Sequence, residues 1–154
     1  MTTYYEYFER SWGTLLRLGK RKKFEPFTEQ DVICMMYHLC LKKLKDPKLI
    51  HARSSYGEDF VMGHVIGEKG KHLRLQGGHG LLAEFKYANS QHRVPVRFRG
   101  CKEDIRRLSR HREKSLRKVC VLLAKGNWIL DKKKRLVKFG QKHGVDVFCD
   151  DLSH

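Results

Sequence analysis

Val119-Cys120-Val121-Leu122-Leu123-Ala124 is an unbroken apolar run. A strand with water on one face alternates apolar and polar side chains, whereas a run that is apolar at every position has both faces covered. Leu81–Tyr87 and Val145–Cys149 are further strand-like runs, and the stretches between the three read as helices. Strands joined through helices lie parallel in one sheet, with the crossing helices on its faces. The chain is therefore expected to be α/β, with a central mixed sheet flanked by helices. Its 154 residues suit one domain around a single moderate core.

The remaining elements follow from local signals. Residues 1–19 form an amphipathic helix or arm, ended by Gly19 and the run Lys20-Arg21-Lys22-Lys23. Thr28 as N-cap with Asp31 three residues on starts a helix from about Glu29 to Lys45, which Pro47 stops. Leu49 to Ser54 reads as a strand, and a second opens at Asp59 and continues unevenly to Ile66. The glycines at 57, 63, 67, 70, 77, 78 and 80 mark hairpin turns. Residues 89–100 read as a polar loop with room for a short strand at Val94–Phe98, and Lys102–Ser115 as a helix. A last helix begins at Asp131 and runs to about His143. These elements divide the chain into an N-terminal arm (1–26), a core (27–125) and an αβ extension of the same domain (126–154).

Several function classes drop out. No run of eighteen apolar residues exists, and the opening Met1–Glu6 lacks the regions of a signal peptide. The expectation is a cytoplasmic protein, with viral and nuclear settings open. Five cysteines without CxxC spacing argue against a disulfide framework or zinc ribbon. Cys34, His38 and Cys40 are the closest cluster, better read as reduced core cysteines beside a histidine. Gly67-Glu68-Lys69-Gly70-Lys71 lacks phosphate-loop spacing and reads as a hairpin tip.

Charge points to a partner. The net charge is +16, and residues 97–142 hold 17 Lys and Arg against four acids. A basic block opposed by so few acids is the footprint of a polyanion. Lys102, Arg106, Arg110 and Lys114 recur every fourth residue, a stripe down one helix, with Arg99, Arg107 and Arg117 beside it. Glu103 and Arg107 read as an ordinary helix pair. Lys132, Lys133, Lys134 and Arg135 crowd the first turns of the last helix, where the helix dipole disfavours cations. Phosphate contacts would account for that cost. Gln91-His92-Arg93 could reach a phosphate too, although a polar loop is the plainer reading. His64, His72 and His79 read as surface residues near the hairpins that could also touch DNA.

The chemistry centres on Glu84-Phe85-Lys86. Side chains alternate along a strand, so Glu84 and Lys86 share one face of an apolar run and Phe85 takes the other. Burying both charges is costly unless something compensates. The plain reading is a structural Glu–Lys pair. With Asp59 opening an earlier strand, and a helix and a buried strand following Lys86, the arrangement resembles the PD-(D/E)XK nuclease superfamily. The resemblance covers roughly residues 27–125. Its imperfections are Glu58 where the family often has Pro, and the long interval from Asp59 to Glu84, which contains Glu68.

The resemblance implies a restriction-endonuclease-like core and a metal-dependent DNA endonuclease, structure-selective, nicking or resolvase-like. It implies Asp59, Glu84 and Lys86 as catalytic residues, with Glu29 on the first helix assisting. Mg²⁺ or Mn²⁺ would be held by Asp59, Glu84 and the Phe85 carbonyl, with Glu58 or Glu68 as rivals to Asp59. Lys86 would orient the attacking water, or take its proton if burial and the metal lower its pKa. Partners would be DNA ahead of RNA, no membrane, and a second copy in a homodimer that pairs two cuts. The competing reading is a basic, non-catalytic DNA- or RNA-binding protein.

Overall fold

The computed structural model describes residues 2–52, 57–70, 72–126 and 129–152. Four helices, α1 (Tyr4–Lys20), α2 (Glu29–Leu44), α3 (Val94–Leu108) and α4 (Leu130–Lys142), flank a five-stranded mixed sheet. Its strands are β1 (Ile50–Ala52), β2 (Phe60–Met62), β5 (Gly80–Ala88), β6 (Leu116–Ala124) and β7 (Asp146–Asp151), in spatial order β1-β2-β5-β6-β7. β1, β2 and β5 run antiparallel, whereas β5, β6 and β7 run parallel. A separate hairpin pairs β3 (Val65–Lys69) with β4 (His72–Leu75). The expected α/β domain with a mixed, helix-flanked sheet is what forms.

β5 and β6 are central because no other strands could be. Every residue of β5 except Lys86 is buried, and β6 is buried from Val119 to Ala124. They pair over nine positions, from Gly80 with Leu116 to Ala88 with Ala124. One sheet face presents Phe60, Met62, Phe85, Val121 and Leu123 to α1 and α2. The other presents Val61, Leu82, Cys120 and Leu122 to α3 and α4. Phe85 is fully buried against Phe8 and Phe60, and an aromatic side chain so placed contributes about 3 kcal/mol.

Local signals explain the helix starts. Thr28 and Asp31 form the capping box expected of α2. Thr3 and Glu6 form another, which makes residues 4–20 a helix and not a loose arm. The Trp12 indole donates to Asp150 Oδ2 at 2.8 Å and ties α1 to β7.

Three expectations need correction. Residues 94–100 belong to a helix, because Pro95 sits in the first turn of α3, where its missing N–H costs nothing. That helix stops at Leu108 and not near Ser115. The Arg110 and His111 N–H groups bond carbonyls three residues back, tightening the last turn. The strand opening near Asp59 ends at Met62, and residues 65–69 cross into the hairpin sheet, whose second strand, β4, was not expected. Of the first expected strand, Ile50–Ala52 forms, while residues 53 and 54 lie outside the described residues. Four of the five cysteines are buried, Cys34 being the exposed one. Among the described residues no helix is long and apolar enough to cross a membrane.

Candidate active site

The second half of β5 runs past the end of β2, which pairs only with Leu81–Ala83. The Phe85 N–H therefore has no β2 carbonyl opposite it. Asp59, at the mouth of β2, fills that place: its Oδ2 accepts from Phe85 N at 2.9 Å. This bond anchors the Asp59 carboxyl beside Glu84, close enough for its charge to act on the Glu84 carboxyl. Residues 26 apart in sequence thus meet through one irregularity of the sheet.

Glu84 and Lys86 point together toward α3, but they do not pair with each other. Lys86 Nζ lies 2.9 Å from Asp104 Oδ2, and Arg107 reaches Glu84 Oε1 at 3.3 Å and also pairs with Asp104. Arg107 is thus a member of the site and not the partner of Glu103. Gly100 lets the Lys86 stem pass under α3, since a Cβ there would sit 3.1 Å from Lys86 Cε.

Glu29 closes the group from the first turn of α2. The charges acting on it are Lys86, Asp59 and Arg97. Its Oε2 is buried without a hydrogen-bond partner, as is Arg97 Nε.

Electrostatics follow from four carboxyls around few cations. Burial first, then Asp59 and Asp104, push the Glu84 carboxyl up to about 9, against the pull of Arg107. Burial likewise raises Glu29 and Asp104 above the ordinary carboxylate range. Burial alone would lower Lys86, but the Asp104 carboxylate outweighs it and holds the ammonium charged. Asp104 thus opposes the lowering on which a proton-accepting Lys86 would depend. Its Nζ also donates to the Phe85 carbonyl at 3.3 Å, the oxygen named as a metal ligand.

A hard divalent cation fits this donor set. Asp59 and Glu84 offer oxygen only, and burial together with the Asp59 charge favours a proton on Glu84. A cation between them would replace that proton and restore two carboxylate ligands. The rivals to Asp59 lie elsewhere. Glu68 is exposed on β3, and Glu58 Oε1 is bonded by His111 Nε2 at 2.8 Å and His72 Nδ1 at 3.0 Å. The Glu58 bonds with two histidines outweigh its burial and keep its carboxyl below the usual range.

The basic residues form a surface of different shape from the expected stripe. Arg110 and Lys114 lie beyond the end of α3, so the four-residue period does not trace one helix. Instead α3 and α4 share their cations around two rings. Lys102 lies over Phe98 and Phe139, Arg106 over Phe139, and Lys132 and Arg135 over Phe98. Arg99 and Lys134 are exposed on the same helices, whereas Lys133 is tied to Asp150 at 3.2 Å.

Asp104 and Arg97 were not foreseen from sequence. The signal for Asp104 was an acid in phase with Cys101, Ile105 and Leu108, on the buried side of its helix. No family model matches this chain, and neither the curated proteins nor the solved structures hold a match to it.

Proposed function

We propose that the protein is a divalent-metal-dependent nuclease that hydrolyses DNA phosphodiester bonds. The observation that carries this reading is the convergence of Glu29, Asp59, Glu84 and Lys86, from three separate elements, on the second half of β5. The order α2, β1, β2, β5, α3, β6 also agrees with the core implied by the PD-(D/E)XK resemblance. Bound at Asp59 and Glu84, Mg²⁺ or Mn²⁺ would polarise the phosphate and acidify a water.

The chain's own residues supply the rest. Lys86, held charged by Asp104, stabilises negative charge that develops on the attacked phosphate. Arg107 sets the orientation of Glu84 from outside. Glu29 offers the unengaged Oε2 as acceptor for a hydrogen bond from the attacking water. The cations around Phe98 and Phe139 track the backbone of the polyanion.

One observation favours a second reading, a basic protein that binds nucleic acid without cutting it. Lys86 and Glu84 each already have an ion-pair partner, as a structural network would require. Supercoiled plasmid separates the two. The nuclease nicks or linearises it with Mg²⁺, stops in EDTA, and loses activity but not binding in Glu84→Ala. Plasmid left intact with Mg²⁺ and Mn²⁺, with steeply salt-dependent binding, establishes the second reading.

A further inference from the structure

Glu58, His72 and His111 form a cluster that the nuclease chemistry does not use. Three different elements bring them together: the segment before β2, the hairpin strand β4, and the loop after α3. Both imidazoles converge on one oxygen, Glu58 Oε1, at 2.8 and 3.0 Å. One ligand atom from each residue lies within 4.8 Å of the other two. The two rings meet edge to face, with centroids 5.4 Å apart.

The setting is a built one. Glu58 is 4% exposed, so its carboxylate is held in place, while His72 stays accessible. The cluster borders a cleft of about 710 Å³ that Glu84 and Arg107 also line. Four-coordinate zinc, with ligands at about 2.0–2.2 Å, needs ligand atoms about 3.3 Å apart. Opening the two hydrogen bonds by a few tenths of an ångström brings Glu58 Oε1 to that spacing from each nitrogen, and the two nitrogens already lie within 4.8 Å of each other.

We propose that Glu58, His72 and His111 bind a borderline divalent cation of the zinc class, separate from the hard-ion site at Asp59 and Glu84. Two imidazoles and one carboxylate are the donor set such ions take, and Mg²⁺ does not favour it. The fourth position faces the cleft. The ion joins the β3–β4 hairpin to the end of α3, which the hairpin otherwise reaches here through the Glu58 bonds. This assignment stands whether or not the protein is a nuclease.

Co²⁺ titration of the full chain tests it, since four-coordinate Co²⁺ shows intense visible bands. One Co²⁺ per chain should bind, be displaced by Zn²⁺, and protect the hairpin from limited proteolysis. His72→Ala and His111→Ala should each weaken binding by at least about tenfold. His72 is more than half exposed, so His72→Ala keeps its fold, which far-UV circular dichroism verifies. The bands should persist in Asp59→Asn, Glu84→Gln and the Cys34→Ala/His38→Ala double variant. Absent bands, bands that survive both histidine substitutions, or bands lost in the control variants would overturn the assignment.

Discussion

Glu58 and Asp59 are neighbours in the chain, yet they serve two regions of opposite chemistry. Asp59 bonds the backbone of β5 and joins carboxyls that burial pushes toward the protonated form. Glu58 turns to two histidines and stays ionised. The first region offers oxygen alone, flanked by Lys86 and Arg107; the second offers imidazole nitrogen. A single step along the backbone thus separates the place proposed for a hard cation from the place proposed for a softer one. The difference arises where β2 begins: before Phe60 no strand pairing dictates direction, so each carboxyl goes where its own partners hold it.

The largest effect should come from the oxygen-rich region. Asp59→Ala and Glu84→Ala are each expected to lower Mg²⁺-dependent cleavage by about 10²–10³-fold, measured under single turnover. His72→Ala should leave that rate within about twofold. Equal losses from both regions would dissolve the distinction between them.

Asp104→Ala comes next, because it strips Lys86 of its ion-pair partner. Removing one member of a largely buried pair costs about 3 kcal/mol, read as a lower urea midpoint at an unchanged slope. The cleavage rate should fall with it, since Lys86 is no longer aimed. A variant as stable as the parent would show that Asp104 does not anchor the site.

A substrate-side prediction extends the comparison. Replacing Lys102, Arg106, Lys132 and Arg135 by Ala should flatten the slope of log K against log salt, by about 0.9 for each phosphate that the variant no longer neutralises. Lys133→Ala should change the slope less, because Asp150 already holds that ammonium. A slope unmoved by the fourfold change would place the nucleic acid elsewhere.

The smallest effect separates positioning from stability. Gly100→Ala should gain up to about 1 kcal/mol of helix propensity while pressing on the Lys86 stem. Cleavage should drop about tenfold although the thermal midpoint holds or rises. A rate that follows stability upward would remove Lys86 from the mechanism.

What could be read from sequence divides along the same physical line. The buried runs of β5 and β6, and the capping box of Thr28 and Asp31, are local features, and they formed as expected. Glu84 and Lys86 could be placed on one face because alternation along a strand is local too. Their partners could not. Asp104 lies on the buried side of α3 with Cys101, Ile105 and Leu108, but which strand residue that side meets is set by how the helix packs across the sheet. The hairpin strands are short and broken by glycine, so no period identifies them. The Glu58 cluster joins residues 14 and 53 positions apart, and no spacing rule connects those elements.

Mn²⁺ binding reports whether Asp59 and Glu84 hold a hard divalent cation. Electron paramagnetic resonance of Mn²⁺ tests it most directly, by counting free ion as protein is added. Binding should occur in the parent protein, compete with Mg²⁺, vanish in Asp59→Asn and Glu84→Gln, and persist in His72→Ala. Mn²⁺ that binds equally well to Glu84→Gln, or only when His72 is intact, would show that this carboxyl pair is not the ion's site.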